Sequence, residues 1–114
     1  NEVKSVQVIG NVEGKDVIII DDLIDTGGTI SMASKVIMEK GAKSVRALIS
    51  HPVLSGNAEE NLENSVLEEL VVTDSIPLKF RNKKIKVLSS AGLIAKAIRK
   101  IHENESTSSL FINR

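Results

Sequence analysis

The stretch Val17-Ile18-Ile19-Ile20-Asp21-Asp22-Leu23-Ile24-Asp25-Thr26-Gly27-Gly28-Thr29 constrains the fold more than any other part of the chain. It opens with four apolar residues, three of them isoleucine. A short unbroken apolar run reads as a strand buried on both faces, as in a parallel sheet. Polarity then reverses within one residue. Three of the five aspartates of the chain fall between positions 21 and 25. Unpaired carboxylates are costly inside a sheet, so the strand, from about Asp16, is predicted to end near Asp21 and deliver them to solvent or a ligand. Thr26, Gly27, Gly28 and Thr29 follow. After them Ile30, Ala33, Val36 and Ile37 recur at helical spacing. The stretch therefore reads as strand, tight loop, helix.

That order has a chemical use. Ligands of open α/β sheets sit outside the carboxyl ends of strands. A helix N-terminus offers unpaired N–H groups and the positive end of a dipole. Gly27 and Gly28 permit close approach and positive φ, and Thr26 and Thr29 add hydroxyls. These four residues suit one phosphate, and the aspartates upstream suit sugar hydroxyls or magnesium. The expected ligand is a phosphorylated sugar, with its phosphate at the threonines and its ribose at Asp21, Asp22 and Asp25. Any one of these residues could serve a capped turn or a hinge. Their order at a strand–helix junction favours the ligand. No Gly-Lys-Ser/Thr follows the loop, and no Gly-x-Gly-x-x-Gly is present, so it is neither a P-loop nor a dinucleotide fingerprint.

Along the rest of the chain, Val6, Val8 and Ile9 predict a short first strand. The helix after the loop runs from near Thr29 to Lys40, with Gly41 as its C-terminal stop. Val45 to Ser50 is the next strand, completing a βαβ unit. It leaves through Ser50-His51-Pro52 on the same edge as the aspartates. A short helix is expected at 57–64, with Asn57 and Glu60 as a capping pair. Leu70 to Thr73 is a third parallel strand. The basic cluster Lys79, Arg81, Lys83 and Lys84 reads as a solvated loop. Ile85 to Leu88 is a further strand, and Ser89-Ser90 are good N-cap residues for a last helix. That helix carries Ile94, Ala97, Ile98 and Ile101 on one face and ends near Asn104. The alternation predicts an α/β fold, a mainly parallel sheet with helices on both faces.

Composition removes several function classes. The 114 residues suit one domain, with 41% hydrophobic and 26% charged residues. Two phenylalanines are the only aromatics, which leaves few platforms for stacking bases. Net charge is zero, so no basic field draws the chain to nucleic acid or membrane. With no cysteine, disulfides, thiolate metal sites and cysteine nucleophiles are out, which fits the cytoplasm. No apolar run reaches membrane-spanning length. His51 reads as a hydrogen-bonded histidine at a loop edge, and His102 as exposed.

The loop motif Val-Ile-Ile-Ile-Asp-Asp-x-x-Asp-Thr-Gly-Gly-Thr resembles the ribose-phosphate loop of the phosphoribosyltransferase fold, and most closely that of ribose-phosphate diphosphokinases. Base phosphoribosyltransferases carry close variants. Three further segments narrow the resemblance. Ser50-His51-Pro52-Val53-Leu54-Ser55-Gly56 is similar to a diphosphokinase segment in which threonine and histidine precede a glycine; here Ser50 and Pro52 replace the threonine and the glycine. Val71-Val72-Thr73-Asp74-Ser75-Ile76-Pro77 resembles Val-Val-Thr-x-x-Ile-Pro. Glu105-Ser106-Thr107-Ser108-Ser109-Leu110-Phe111 resembles Glu-Ser-Val-Ser-x-Leu-Phe.

The resemblance implies that residues 1–114 are the C-terminal part of a phosphoribosyltransferase-like domain, incomplete by itself. The implied reaction moves the diphosphoryl group of ATP to ribose 5-phosphate, giving phosphoribosyl diphosphate with Mg2+ as cofactor. Asp21, Asp22, Asp25, Thr26, Gly27, Gly28 and Thr29 would bind ribose 5-phosphate. Ser106, Ser108 and Phe111 match a regulatory phosphate or nucleotide site between subunits, which implies a homo-oligomer in the full-length form. No catalytic residue is expected in this chain, which alone should be inactive. The alternatives are a base phosphoribosyltransferase, or a non-catalytic regulatory homologue that binds a sugar phosphate.

Overall fold

The structure, a computed structural model, describes residues 6–111. Four strands form one parallel sheet: β1 (Asp16–Ile24), β2 (Ser44–Pro52), β3 (Glu69–Thr73) and β4 (Ile85–Leu88). Their spatial order, β1-β2-β3-β4, equals their chain order. Helix α1 (Gly28–Glu39) joins β1 to β2, and α2 (Ala58–Asn64) joins β2 to β3. Helix α3 (Ala91–His102) follows β4, and a 3-10 turn closes Ser108–Leu110.

The expectation of helices on both faces does not hold. Val45, Ala47 and Ile49 of β2 and Leu70 and Val72 of β3 are buried, together with Ile30 and Ile37 of α1 and Leu62 of α2. Leu78 and Phe80, from the segment between β3 and β4, pack on the same core. The alternate residues face outward: Ile18 is 55% exposed, Ile20 80% and Leu48 40%. Topology supplies the reason. Parallel crossovers are nearly always right-handed. A sheet that grows in one direction through such crossovers places each connection on the same face, and the contact between α1 and α2 agrees. Covering the other face needs a reversal of strand order, and the four strands contain none. Hence β1 is buried on one face only.

Helix α3 forms as its spacing predicts but buries nothing; Ile94, Ile98 and Ile101 are all exposed. Standing off the sheet, it lengthens the molecule. The radius of gyration is 16.5 Å, against about 13 Å for a compact domain of this length.

Other expectations shift in detail. Val6–Ile9 is not a strand. Val8 and Val12 pack on the core from an irregular segment, so this stretch is anchored by side chains and needs no ladder. The first helix ends as predicted: Gly41, at φ 93°, donates to Met38 O, and Ala42 N–H donates to Ile37 O. This paired closure satisfies two end carbonyls and requires positive φ at Gly41. Asn57 does not cap α2 with its side chain, because its backbone (φ −86°, ψ 25°) lies outside the extended region that capping uses. Ser90 stands at the N-cap of α3 but spends its hydroxyl on Asp74 Oδ1 at 2.5 Å.

Lys84 overturns the solvated reading of its basic cluster. Its ammonium donates to Leu62 O at 3.0 Å and Ser65 O at 2.9 Å. A cation there satisfies the end carbonyls of α2 and complements its dipole. Lys79, Arg81 and Lys83 are exposed, as expected.

Candidate functional site

Strand β1 does not end at Asp21. It continues to Ile24, with Asp21 beside Ile49, Leu23 beside His51 and Ile24 beside Pro52. As an edge strand with one open face, β1 lets Asp21 and Asp22 reach solvent from within the ladder. Carboxylates therefore do not force it to stop. His51 and Pro52 likewise belong to β2 rather than to a loop. His51 is exposed, and its Nδ1 lies 2.8 Å from Ser75 Oγ, a hydrogen-bonded histidine at the sheet edge.

The chain leaves β1 and enters α1 within three residues. Gly27 is the hinge of this turn, at φ 79° and ψ 0° in the left-handed region, where a side chain is strained. Gly28 is not among the positive-φ residues and starts the helix. Gly27 O accepts the first helical bond, from Ser31 N–H at 2.9 Å. Gly28 N–H has only a long contact, 3.4 Å, to Thr26 Oγ1. Gly27 N–H has no partner among the described residues. The first turn holds no acidic side chain to neutralise the positive end of the helix.

These groups surround a cavity of about 280 Å³. Asp21, Asp25, Thr26, Gly27 and Thr29 line its polar side, and Ile19, Leu23, Ile30 and Ala33 its apolar side. Five of the seven residues expected to hold a sugar phosphate thus share one cavity. Gly28 adjoins it, and Asp22 donates its N–H to Asp21 Oδ1 at 2.8 Å from the neighbouring strand position. Ser106, Ser108 and Phe111 do not line this cavity. Ser106 Oγ and Ser108 Oγ lie 2.8 Å apart in the segment after α3, whose short turn packs on α3.

The loop is held from behind by residues of the next connection. Leu54 N–H donates to Ile24 O and Ser55 N–H to Asp25 O, prolonging the β1–β2 contact beyond the ladder. Ser55 Oγ also hydrogen-bonds Asp25 Oδ1. Leu54 reaches this register at φ 51°, an uncommon conformation for leucine, while its side chain is buried. Asn61 of α2 donates from Nδ2 to Thr26 O at 2.8 Å. Sequence reasoning singled out Ser55 within a motif. It missed Asn61, which carries no local signal because its partner is 35 positions away.

The arrangement can bind an anion at the start of α1 and polyol hydroxyls at the carboxylates. Among the described residues no three of His, Asp or Glu lie close enough to hold a metal ion unaided.

The family model for the phosphoribosyl synthetase-associated domain matches residues 1–112. The chain belongs to that family. Among relatives of the phosphoribosyl synthetase-associated family, it is similar to a ribose-phosphate pyrophosphokinase of Wolinella succinogenes. The two are 54% identical over 92% of this chain and 34% of the relative. A ribose-phosphate pyrophosphokinase of Helicobacter hepaticus is 56% identical over 97% of this chain and 36% of its own length. A crystal structure of phosphoribosylpyrophosphate synthetase from Mycobacterium smegmatis superposes with a TM-score of 0.84 at 41% identity, covering 90% of this chain and 35% of that one. The chain spans about a third of the length of these relatives. The α/β fold and the family resemblance expected from the sequence both stand.

Proposed function

We propose that this chain is the C-terminal part of a ribose-phosphate diphosphokinase and contributes the grip on the acceptor sugar. The reaction is transfer of the diphosphoryl group of ATP to ribose 5-phosphate, giving phosphoribosyl diphosphate. The observation that carries the proposal is the cavity in which Asp21 and Asp25 meet the open N-terminus of α1. Thr26, Gly27, Gly28 and Thr29 take the 5-phosphate through backbone N–H groups and hydroxyls. Asp21, Asp22 and Asp25 accept hydrogen bonds from the ribose hydroxyls, and Ser55 orients Asp25. The similarity to ribose-phosphate pyrophosphokinases supports this reading over a base phosphoribosyltransferase.

Phosphoryl transfer depends on positioning and on neutralising charge. This chain supplies the first of these for the acceptor. Asp21 and Asp22 offer one or two exposed carboxylates, the share that magnesium takes from a protein when substrate phosphates and water complete its shell. When bound, Mg2+ would neutralise phosphate charge. In the same reading Ser106, Ser108 and Phe111 belong to a regulatory surface between subunits of a homo-oligomer, and the protein is cytoplasmic, without a nucleic-acid or membrane partner. No helix among the described residues is long and apolar enough to cross a membrane.

The test is isothermal titration of the chain with ribose 5-phosphate, ATP and phosphoribosyl diphosphate, with and without magnesium. Binding of ribose 5-phosphate that Asp25→Ala and Thr29→Ala both weaken supports the assignment. A chain that binds neither sugar phosphate rejects it.

A further inference from the structure

We infer that Asn61 is a positioning residue for the anion cradle, fixing which side of the Thr26–Gly27 peptide faces the ligand; this rests on the sugar-phosphate reading above. In a trans peptide the C=O and N–H point in opposite directions. Asn61 Nδ2 holds Thr26 O against α2 at 2.8 Å, so Gly27 N–H points away from α2. No residue of α2 lines the cavity, and Gly27 N–H donates to no protein atom among the described residues. Glycine tolerates either sign of φ. The conformational freedom that lets Gly27 make this turn also lets the preceding peptide turn over. A turned peptide would present a carbonyl oxygen where the cradle offers a donor, and an oxygen repels phosphate. The Asn61 amide removes that choice. The space beside Gly27 is shared with the same residue: a Cβ on Gly27 would lie 3.7 Å from Asn61 Cβ.

Helix α2 is braced for this task. Lys84 ties down its terminal carbonyls, and Asn82 Nδ2 donates to Glu63 Oε2 at 2.7 Å. The segment Asn82–Lys84 thus supports the helix that supports the loop, although it lies on the far side of β3 in sequence.

The experiment compares wild type with Asn61→Ala, Asn61→Asp and Asn61→Gln, titrating ribose 5-phosphate and, separately, inorganic phosphate. Calorimetry gives affinity, and the backbone amide resonance of Gly27 reports the peptide itself. Asn61→Ala should weaken both ligands on the order of tenfold, the scale of one lost hydrogen bond to a well-placed group. It should also remove the ligand-induced shift at Gly27. Asn61→Asp keeps the shape but cannot donate, and should lose at least as much. Asn61→Gln keeps a donor and should recover affinity and the Gly27 shift, which a loss of general stability would not predict. Wild-type binding with unchanged affinity and Gly27 shift in Asn61→Ala or Asn61→Asp overturns the inference alone. Failure of wild type to bind either ligand overturns the sugar-phosphate reading, and the inference with it.

Discussion

Helices α1 and α3 have the same length and the same kind of apolar stripe, yet one is built into a core and the other stands in solvent. In α1, Ile30, Ser34 and Ile37 are buried against the sheet. In α3, Ile94, Ile98 and Ile101 meet nothing among the described residues that hides them. The same contrast divides the sheet, with Val45, Ala47 and Leu70 fully covered on one side and Ile18, Ile20 and Leu48 bare on the other. Apolar periodicity names the face a helix or strand wishes to bury; it does not name the partner. The covered region is also where the cavity lies, so the half of the molecule that is packed is the half that can hold a ligand rigidly.

The largest expected effect tests whether the packed half suffices for chemistry. The purified chain, given ribose 5-phosphate, ATP and magnesium in a coupled assay of AMP release, should stay at background. An intact enzyme of ordinary rate would turn over on the order of 1–10³ times per second. Turnover in that range from this chain would mean that the bare half contributes a donor site that its structure does not suggest.

The next contrast is in packing. Leu70→Ala removes a side chain with 0% exposure and should cost about 2–5 kcal/mol in chemical denaturation. Ile98→Ala, at a position 62% exposed, should change stability by less than about 0.5 kcal/mol. Ile20→Lys and Ile98→Lys should instead lower self-association in sedimentation, because both thin an exposed apolar surface. Equal costs for Leu70→Ala and Ile98→Ala would show that α3 is packed in solution.

Much of this was legible from sequence, and the gaps have physical causes. The loop from Asp21 to Thr29 was readable because its residues act through local geometry: strand, glycine turn, helix start. The elements β2, β3, β4 and α3 followed from period and punctuation. Other features were not readable. The extension of β1 through two aspartates depends on its place at the sheet edge. The capping role of Lys84 depends on where α2 ends in space. Ser34, 0% exposed with its hydroxyl donated to Ser31 O, interrupts the apolar face of α1 and would be placed on the surface by polarity alone. The bare sheet face follows from strand order, which composition and periodicity do not encode.

A finer comparison uses two glycines. Gly27→Ala should destabilise the chain by about 1–2 kcal/mol, because its left-handed backbone strains any side chain, and should weaken ribose 5-phosphate binding. Gly92 lies in α3 with open space around its missing Cβ. Gly92→Ala should favour the helix by about 0.5–1 kcal/mol, raising helical circular dichroism while leaving the calorimetric melting of the core unchanged. A matching rise in core melting temperature would show that α3 and the core unfold together.

The smallest effect concerns the start of α3. The Ser90 hydroxyl, followed by its N–H at 2.9 Å, holds the Asp74 carboxyl below the usual carboxylate range. A lowered folded-state value stabilises the folded form above the unfolded value, about 3.9. That contribution is lost as pH falls through the lower folded value. Protection factors for hydrogen exchange at Ser90 and Ala91, taken against the intrinsic rate at each pH, should therefore fall as acid is added below about pH 4, with little change between pH 5 and 8. Ser90→Ala should remove most of that dependence.

The strand order β1-β2-β3-β4 also bears on how the chain finds its fold. Each strand docks beside the one made just before it, so the sheet grows at a single advancing edge. Among the described residues no strand must wait for a segment synthesised much later and then be inserted between two others. The separation to be bridged is one helix and its turns for the first two pairings, as from Asp16 to its neighbour Ser44, and a loop without a helix for the last, and the entropy of closing such a loop rises only slowly with its length. Parallel sheets are ordinarily slow to assemble because their pairings are distant in sequence. This one can be laid down strand by strand as the polypeptide emerges, with the glycine turn between β1 and α1 in place before β3 and β4 exist.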